Sequence, residues 1–405
     1  NASNSGFGGI VSTGDSSGVL QLQAAGTTIA TIQSTGLNLG SNGVVFSDAS
    51  TQTAAASPYV LKNRIINGDM RIDQRNAGAS VTASTTGAYA LDRWYLEEAT
   101  DGAATVQQVS DGPTGFTNSL KVTVTSTDTS IGASQYFEVD QNIEGFNTAD
   151  LSFGTASAST ITISFWVKSS LTGTFGGSIR NSAANRSYPF SYTINAANTW
   201  EKETITIAGD TTGTWIGATN GIGLRLTLAL AAGSSLSGTV NTWAGANLLA
   251  PTGSTNLMGT ASATWQVTGV QLEIGTSATP FERRLYNQEL ANCQRYYYRF
   301  NPTSSSSNTL GSGFVQDSTN AQILHFFPVS MRTSPTALEQ SGTAGNYAIR
   351  STGGVTTCST VPTFGDANTN TSQILLIVAS GLTGGQAILA RAVNTSAWLA
   401  WSAEL

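Results

Sequence analysis

The sequence predicts an all-β protein built from more than one unit. Charged residues are 10% of the 405 residues, against roughly 25% in an average globular protein. Ser, Thr, Asn and Gln supply the polarity instead, and 43 glycines suit tight turns between short strands. Only the stretch 281–298 has the spacing of an amphipathic helix. A chain of this length is also too long for one ordinary domain.

The charge and hydropathy patterns exclude two classes of function. The formal net charge is −6, and no basic run is longer than Arg283–Arg284, so the clustered cations that bind nucleic acid are missing from the sequence. It contains no stretch of 18 apolar residues, which argues against membrane insertion. Two cysteines, Cys293 and Cys358, cannot form a disulfide framework, and Cys293 is expected to be a buried apolar residue.

Residues 1–57 form the first predicted segment. Short strand-like pieces recur in it about every 8–10 residues, at Val19–Gln23, Thr28–Gln33, Leu37–Leu39 and Val44–Phe46. A segment this short cannot bury a core alone. Several intertwined copies could bring these apolar residues to a shared axis, which predicts a stem. A flexible Ser/Thr/Gly linker is the alternative.

Residues 58–280 form the second segment. Alternating apolar residues between Gly, Asn and Asp turns predict strands near 118–125, 133–140, 160–168, 187–194, 202–208, 221–230 and 264–274. This number of strands fits an antiparallel β-sandwich. Trp94 follows Asp92-Arg93 at the start of a strand and is expected in the core.

A linking helix is predicted at 281–300. Thr279 can cap it, Pro280 fits its first position, and Glu282 can reach back to the capping residue. An apolar stripe then continues along one face, at Tyr286, Leu290, Cys293 and Tyr297.

Residues 301–405 form a second, smaller predicted β-sandwich. Its strands are expected at 310–316, 321–327, 346–350, 373–379, 385–391 and 397–404. The final strand carries Trp398 and Trp401, which indicates a packed face.

Several motifs resemble a known family. Asn67–Ile72, Asp92–Trp94, Ser164–Ser170 and Gly269–Glu273 resemble, in order, a carbohydrate-binding jelly roll, and 265–298 resembles the end of such a module in bacteriophage tail-fibre and structural proteins. Phe46–Ala56 is similar to a tail-fibre stem motif, with Ala49 where Gly is usual. The resemblance implies a jelly roll at 58–280 and a homotrimer with an intertwined stem. It also implies attachment to other virion proteins through residues 1–57.

Catalysis has little support in the sequence. The single histidine, His325, lies in an apolar strand without the partners of a catalytic triad, and is expected to be structural, facing solvent or an interface. No His/Cys cluster is present, and Arg71 replaces the acid that would follow Asp69 in a calcium-binding relative, so neither a metal nor a cofactor is predicted. For a polysaccharide-degrading enzyme, candidate carboxylate pairs are Glu201/Glu203, Glu97/Glu98 and Asp140/Glu144.

Glycan binding has more support. Strand alternation places Trp166 and Lys168 on a polar face of one strand, and Arg225 and Thr227 on the polar face of another. Arg186 and Tyr188 are expected in a strand between these two. An indole beside hydroxyl and cationic groups suits a sugar ring, and the resemblance implies a concave face that binds it. The alternative is that Trp166 is covered and merely packs.

The sequence therefore predicts a virion fibre or tailspike-like adhesin, a homotrimer that binds host-surface polysaccharide through three identical sites. Two alternatives stay open: a purely structural virion appendage, such as a head fibre or decoration protein, and a capsule depolymerase.

Overall fold

The computed structural model describes strands within 20–52 and the residues 61–303 and 308–405. Contacts divide the chain into two compact units, Asn1–Leu61 and Lys62–Leu405. The first has a three-stranded antiparallel sheet in the order β1-β2-β3 and a hairpin, β4-β5. Its strands, where the sequence predicts short strands, are β1 (Leu20–Ala24), β2 (Thr27–Gln33), β3 (Gly36–Asn38), β4 (Val44–Val45) and β5 (Thr51–Gln52). The Phe46–Ala56 motif otherwise lies outside the described residues.

The second unit begins with a sandwich of two six-stranded sheets. The first sheet has the order β15-β12-β19-β10-β9-β6 and the second β14-β13-β16-β11-β8-β7, with a short β17-β18 pair beside them. The strands are β6 (Val81–Thr82), β7 (Ala88–Leu91), β8 (Trp94–Glu98), β9 (Ala103–Val109), β10 (Ser119–Ser126), β11 (Tyr136–Glu144), β12 (Ile161–Ser169), β13 (Gly173–Arg180), β14 (Ser187–Ile194), β15 (Glu201–Ile207), β16 (Ile222–Ala232), β17 (Ser237–Gly238), β18 (Ala250–Pro251) and β19 (Thr264–Ile274). Each predicted strand of this segment is present.

Strand alternation builds the core of this sandwich. Along β16, Leu224, Leu226, Leu228 and Leu230 are fully buried against residues of the first sheet such as Phe165. Trp94 is also fully buried, as predicted. The opposite side of β16 carries polar residues, and these belong to the candidate site described below.

The Asn67–Met70 motif acts as a structural lock. Asn67 has a left-handed backbone (φ 57°), and its side-chain amide bonds Ile72 O and Asp92 O at 2.8 and 3.0 Å. Trp94 Nε1 in turn donates to Asn67 O at 3.0 Å. Gly68 lies against the backbone carbonyl of Val270, where a Cβ atom would clash. The motifs near residues 67, 92 and 269 thus hold one another in place.

The predicted helix is shorter than expected, because its capping residues are used elsewhere. The only described α-helix, α1, spans Tyr286–Gln294, and Leu285 occupies the N-cap without a side-chain hydrogen bond. Thr279 Oγ1 donates to Glu273 Oε2 at 2.7 Å, while the Glu282 carboxylate accepts from Asn63 N at 3.0 Å. These contacts with β19 and the entering chain keep 281–285 out of the helix. Its stripe is only partly buried: Cys293 is buried, as predicted, whereas Tyr286 is 55% exposed.

The C-terminal lobe contains a seven-stranded sheet, in the order β25-β24-β28-β21-β22-β27-β26, and a three-stranded sheet, β20-β29-β23. Both sheets contribute to one core around Trp401. Its strands are β20 (Tyr297–Phe300), β21 (Asn308–Val315), β22 (Asn320–Phe326), β23 (Glu339–Gln340), β24 (Tyr347–Ser351), β25 (Gly354–Thr357), β26 (Thr363–Ala367), β27 (Thr371–Ile377), β28 (Ala387–Ala392) and β29 (Leu399–Ser402). The six predicted strands are among them.

Ion pairs connect the end of α1 and this lobe to the sandwich. Arg295 donates twice to Glu144, at 2.6 and 2.9 Å, and Tyr296 Oη donates to the same carboxylate at 2.6 Å. Glu404, next to the last residue, pairs with Arg75 at 2.9 Å and with the buried Arg93. The sandwich and the C-terminal lobe accordingly belong to one compact unit, and the predicted boundaries between them stay a prediction.

Candidate functional site

The predicted glycan-binding residues lie on two different sheets. Trp166 and Lys168 are on β12 in the first sheet. Tyr188 on β14, and Arg225 and Thr227 on β16, are in the second sheet, and Arg186 lies just before β14. The strand that contains Tyr188 lies between the other two along the sequence, but not in space, because those two strands belong to different sheets. Strand β14 is instead an edge strand of the second sheet, because it forms a hairpin with β13. The six residues therefore do not form one surface.

Two of these residues have structural partners instead. Arg186 forms a two-pronged ion pair with Asp210, with both N–O distances at 2.7 Å. Tyr188 is only 8% exposed and points into the sandwich core, with its ring 5.1 Å from that of Trp243. Arg186 and Tyr188 therefore do not lie on the ligand-binding face where the sequence predicted them.

The Trp166 surface is a small aromatic patch on the first sheet. Trp166 is half-buried beside Gly269. The Lys168 ammonium bonds the Asp111 carboxylate and lies 4.9 Å from the centre of the Trp200 ring. The hydrogen bond from Lys168 lowers the pKa of Asp111. Because the lysine already has an anionic partner and an aromatic neighbour, this patch offers few free polar groups.

A denser polar surface covers the outer side of the second sheet. We call it the polar face and define it by Tyr95, Glu97, Glu138, Asp140, Arg180, Arg225 and Thr227. Cross-strand pairing aligns Tyr95, Asp140, Thr227 and Ser178 in one row across β8, β11, β16 and β13. Glu97 pairs with Glu138, and Arg225 with Arg180, in the rows on either side.

Arg180 organises the floor of the polar face. Its Nη2 atom donates to Glu138 Oε2 at 2.6 Å, to Asp140 Oδ2 at 3.0 Å and to Thr227 Oγ1 at 2.7 Å. All four side chains are almost fully buried. Asn247, in the loop that covers part of this sheet, accepts from Arg180 Nη1 at 3.1 Å. One guanidinium thus holds two carboxylates in place below the surface.

The electrostatics of this floor favour a retained proton. Burial raises the pKa of Glu138 to about 8, and repulsion from Asp140 adds to the effect, while Arg180 opposes it. Burial likewise raises the pKa of Asp140. Two carboxylates therefore share one buried cation, and near neutral pH one of them tends to stay protonated.

Two buried atoms of this row lack a partner within the described residues: Asp140 Oδ1 and Ser178 Oγ. Buried polar atoms are nearly always hydrogen-bonded, because leaving them unpaired is costly. Beside them, Tyr95, Glu97, Tyr136 and Arg225 are half-buried at the rim. The rings of Tyr95 and Tyr89 lie 5.1 Å apart. The polar face thus combines aromatic surface with unpaired donors and acceptors.

Three residues of this site, Tyr95, Glu138 and Arg180, were missed in the sequence, and Glu97 and Asp140 were named only as candidate catalytic acids. Glu138 and Asp140 alternate with the apolar Phe137 and Val139 along β11, and this pattern was a readable signal. The contact of Arg180 with Glu138 and Asp140 could not be predicted from the sequence, because it depends on which strands pair. Of the predicted glycan-binding residues, the structure places Arg225 and Thr227 on this face.

One member of each predicted catalytic pair makes a structural contact, and Glu97 and Asp140, from two of the pairs, belong to the polar face. Glu201 accepts from the backbone of Asn195 and Ala196 at 2.8–3.1 Å, which lowers its pKa. Glu98 accepts from Thr100 N at 2.8 Å, and Glu144 is held by Arg295 and Tyr296.

His325 is buried, contrary to the expectation that it faces solvent or an interface. It stacks on Trp401 with ring centres 4.7 Å apart, and burial lowers its pKa. Among the described residues, we find neither a cluster of acidic, His or Cys side chains suited to a metal ion nor a helix able to span a membrane.

Comparisons with known proteins give weak likenesses. No family model and no curated protein match the sequence. Among solved structures, the enzymatically active domain of bacteriophage CBA120 tailspike protein 4 is 12% identical, with a TM-score of 0.29; the match covers 54% of this chain and 22% of that one.

Carbohydrate-binding modules are also among these neighbours. A family 11 module from Clostridium thermocellum, in complex with a mixed-linked tetrasaccharide, is 12% identical, with a TM-score of 0.26. The match covers 50% of this chain and 100% of that one. The xylan-binding domain from Paenibacillus barcinonensis is 13% identical, with coverages of 50% and 99% and a TM-score of 0.23. At such scores the likeness carries no argument, and the site is interpreted from its own geometry.

Proposed function

We propose that this chain is a glycan-binding adhesin of a bacteriophage virion fibre, that it lacks enzymatic activity, and that the polar face binds the saccharide. The observation that carries the proposal is the half-buried rim of Tyr95, Glu97 and Arg225, which sets an aromatic ring beside charged groups above the buried floor. Sugar hydroxyls donate and accept hydrogen bonds, and the apolar face of a pyranose packs on an aromatic ring. The stem and jelly-roll motifs support the virion setting, a homotrimer and attachment through residues 1–57.

Binding to an array of bacterial surface polysaccharides tests this proposal. The purified chain should bind a subset of them, and Arg225→Ala should weaken that binding about tenfold, the effect of roughly 1.4 kcal/mol from one lost charged contact. Tyr286→Ala is the control, because Tyr286 is exposed on α1, away from this face. Binding to no polysaccharide would leave the structural appendage as the better account.

A depolymerase is the second candidate, because Glu138 has a raised pKa beside a second carboxylate, an arrangement that glycosidases use. The polysaccharides that bind should be incubated with the chain and analysed for shortened products. Under the proposal none forms; products that disappear in Glu138→Gln would establish an enzyme.

A further inference from the structure

The outer side of the seven-stranded sheet is unusually apolar for an exposed surface. We call it the apolar face and define it by Phe314, Leu324, Phe326, Val355 and Leu389. These side chains are 47%, 41%, 68%, 54% and 40% exposed. Within the sandwich part of the second unit, large exposed apolar residues are scattered, whereas here five share one sheet. Contiguous apolar patches of this kind mark interaction sites.

Along the row through the middle of this face, charged side chains lie only towards its two ends; Arg391, two residues after Leu389 on β28, is on the same side of the sheet but outside this row. Cross-strand pairing forms one continuous row: Val355, Arg350, Leu389, Ser312, Leu324, Gln373 and Asp366. Arg350 is exposed next to Val355 at one end of the row and Asp366 is exposed at the other end, with uncharged side chains between them. They lie five strand spacings apart, about 24 Å at a spacing of about 4.8 Å.

This distribution is complementary to itself. When copies of the face surround an axis parallel to the strands, the edge with Arg350 in one copy meets the edge with Asp366 in another, while Ser312 and Leu324 meet near the axis. Two-fold and three-fold symmetry both satisfy this condition. A groove of about 410 Å³ lies beside Asp366, between Phe314, Leu324 and Asn368, with room for a side chain from another copy.

We propose that the apolar face is the interface through which copies of this chain associate. Association would bury the exposed phenylalanines and leucines and pair Arg350 with Asp366 of a second copy. This deepens the assembly expected under the proposed function: it specifies the surface and the ion pair, and is independent of glycan binding. The self-complementary charges favour a second copy over an unrelated protein.

Thiol cross-linking of the full chain tests the interface. Ser312→Cys places a thiol near the axis, and a short bis-maleimide can bridge two copies, since packed sheets lie about 10 Å apart. Cys293 and Cys358 are free but buried, so the unmodified chain is the blank. Ser234→Cys, exposed on the jelly-roll side, is the matched control. We expect Ser312→Cys to give at least roughly tenfold more cross-linked dimer than Ser234→Cys, because only Ser312 lies in the proposed interface.

A charge exchange adds specificity to the test. Arg350→Asp should lower the cross-linking yield of Ser312→Cys severalfold, and adding Asp366→Arg should restore it. An oligomer, by light scattering, whose Ser312→Cys variant does not cross-link above the control would overturn the interface while leaving assembly intact. A monomer would overturn both.

Discussion

Arg180 and Glu138 form a buried ion pair on the outer side of the second sheet, with Nη2 and Oε2 2.6 Å apart and both side chains no more than 4% exposed. Asp140 shares the same guanidinium at 3.0 Å. Such pairs contribute little to stability relative to apolar residues, but losing one partner leaves an uncompensated buried charge. The arrangement therefore positions polar groups more than it stabilises the fold.

Replacing the cation should be costly. Arg180→Met leaves Glu138 and Asp140 buried without a positive partner, and should lower the free energy of unfolding by about 3–5 kcal/mol at pH 7. Urea denaturation measures this loss of unfolding free energy. Arg299→Met is the control, because Arg299 is half-buried and lies outside the polar face. Exposed ion pairs contribute less than about 1 kcal/mol. A decrease in the free energy of unfolding of that size would mean that water reaches the buried floor of the polar face.

The pH dependence of stability should reflect Glu138. Its folded pKa, about 8, lies above the ordinary value of 4.5 because of burial, so the folded state holds the proton more tightly. The stabilisation is complete below about pH 4.5 and is lost as pH rises towards 8. Glu138→Gln removes this dependence. The urea midpoint of the variant, relative to that of the unmodified chain, should therefore rise from pH 5 to pH 8. A constant difference across that range would contradict the raised pKa.

The junction between the sandwich and the C-terminal lobe should depend on Glu404. Its carboxylate pairs with Arg93, whose side chain is 2% exposed, and with Arg75. Glu404→Ala would strand a buried guanidinium and should cost about 3 kcal/mol. Thermal unfolding should show a lower midpoint, while Asp101→Ala, at an exposed acid, leaves it unchanged. Equal midpoints for the two variants would show that the junction does not need this pair.

The Asn67–Met70 lock predicts intolerance at Gly68. A Cβ atom there would clash with the carbonyl oxygen of Val270, a backbone atom that cannot move aside cheaply. Gly68→Ala should therefore cost about 1–3 kcal/mol, as overpacked positions do. Gly245→Ala is the matched control, because nothing lies within 4 Å of its added Cβ. Equal stability of the two would argue against the lock.

The limits of the sequence-based predictions have physical causes. Strands such as Ile222–Ala232 were predictable, because alternation of leucine with polar residues follows from local geometry. The start of the helix was not, since Thr279 bonds Glu273 in the preceding strand and Glu282 bonds Asn63, 219 residues away. The polar face was also missed, because Arg180 meets Glu138 through strand pairing, which local pattern does not encode. Whether the predicted residues bind glycan stays a prediction.

The most direct test of the central claim compares the two sheets of the sandwich. A polysaccharide that binds the chain should be titrated calorimetrically against Tyr95→Ala, on the polar face, and Trp166→Ala, on the first sheet. Tyr95→Ala should weaken binding about tenfold, the value of one aromatic contact of about 1.4 kcal/mol, and Trp166→Ala less than about twofold. The reverse order, with Trp166→Ala abolishing binding and Tyr95→Ala leaving it intact, would contradict the polar face as the glycan site.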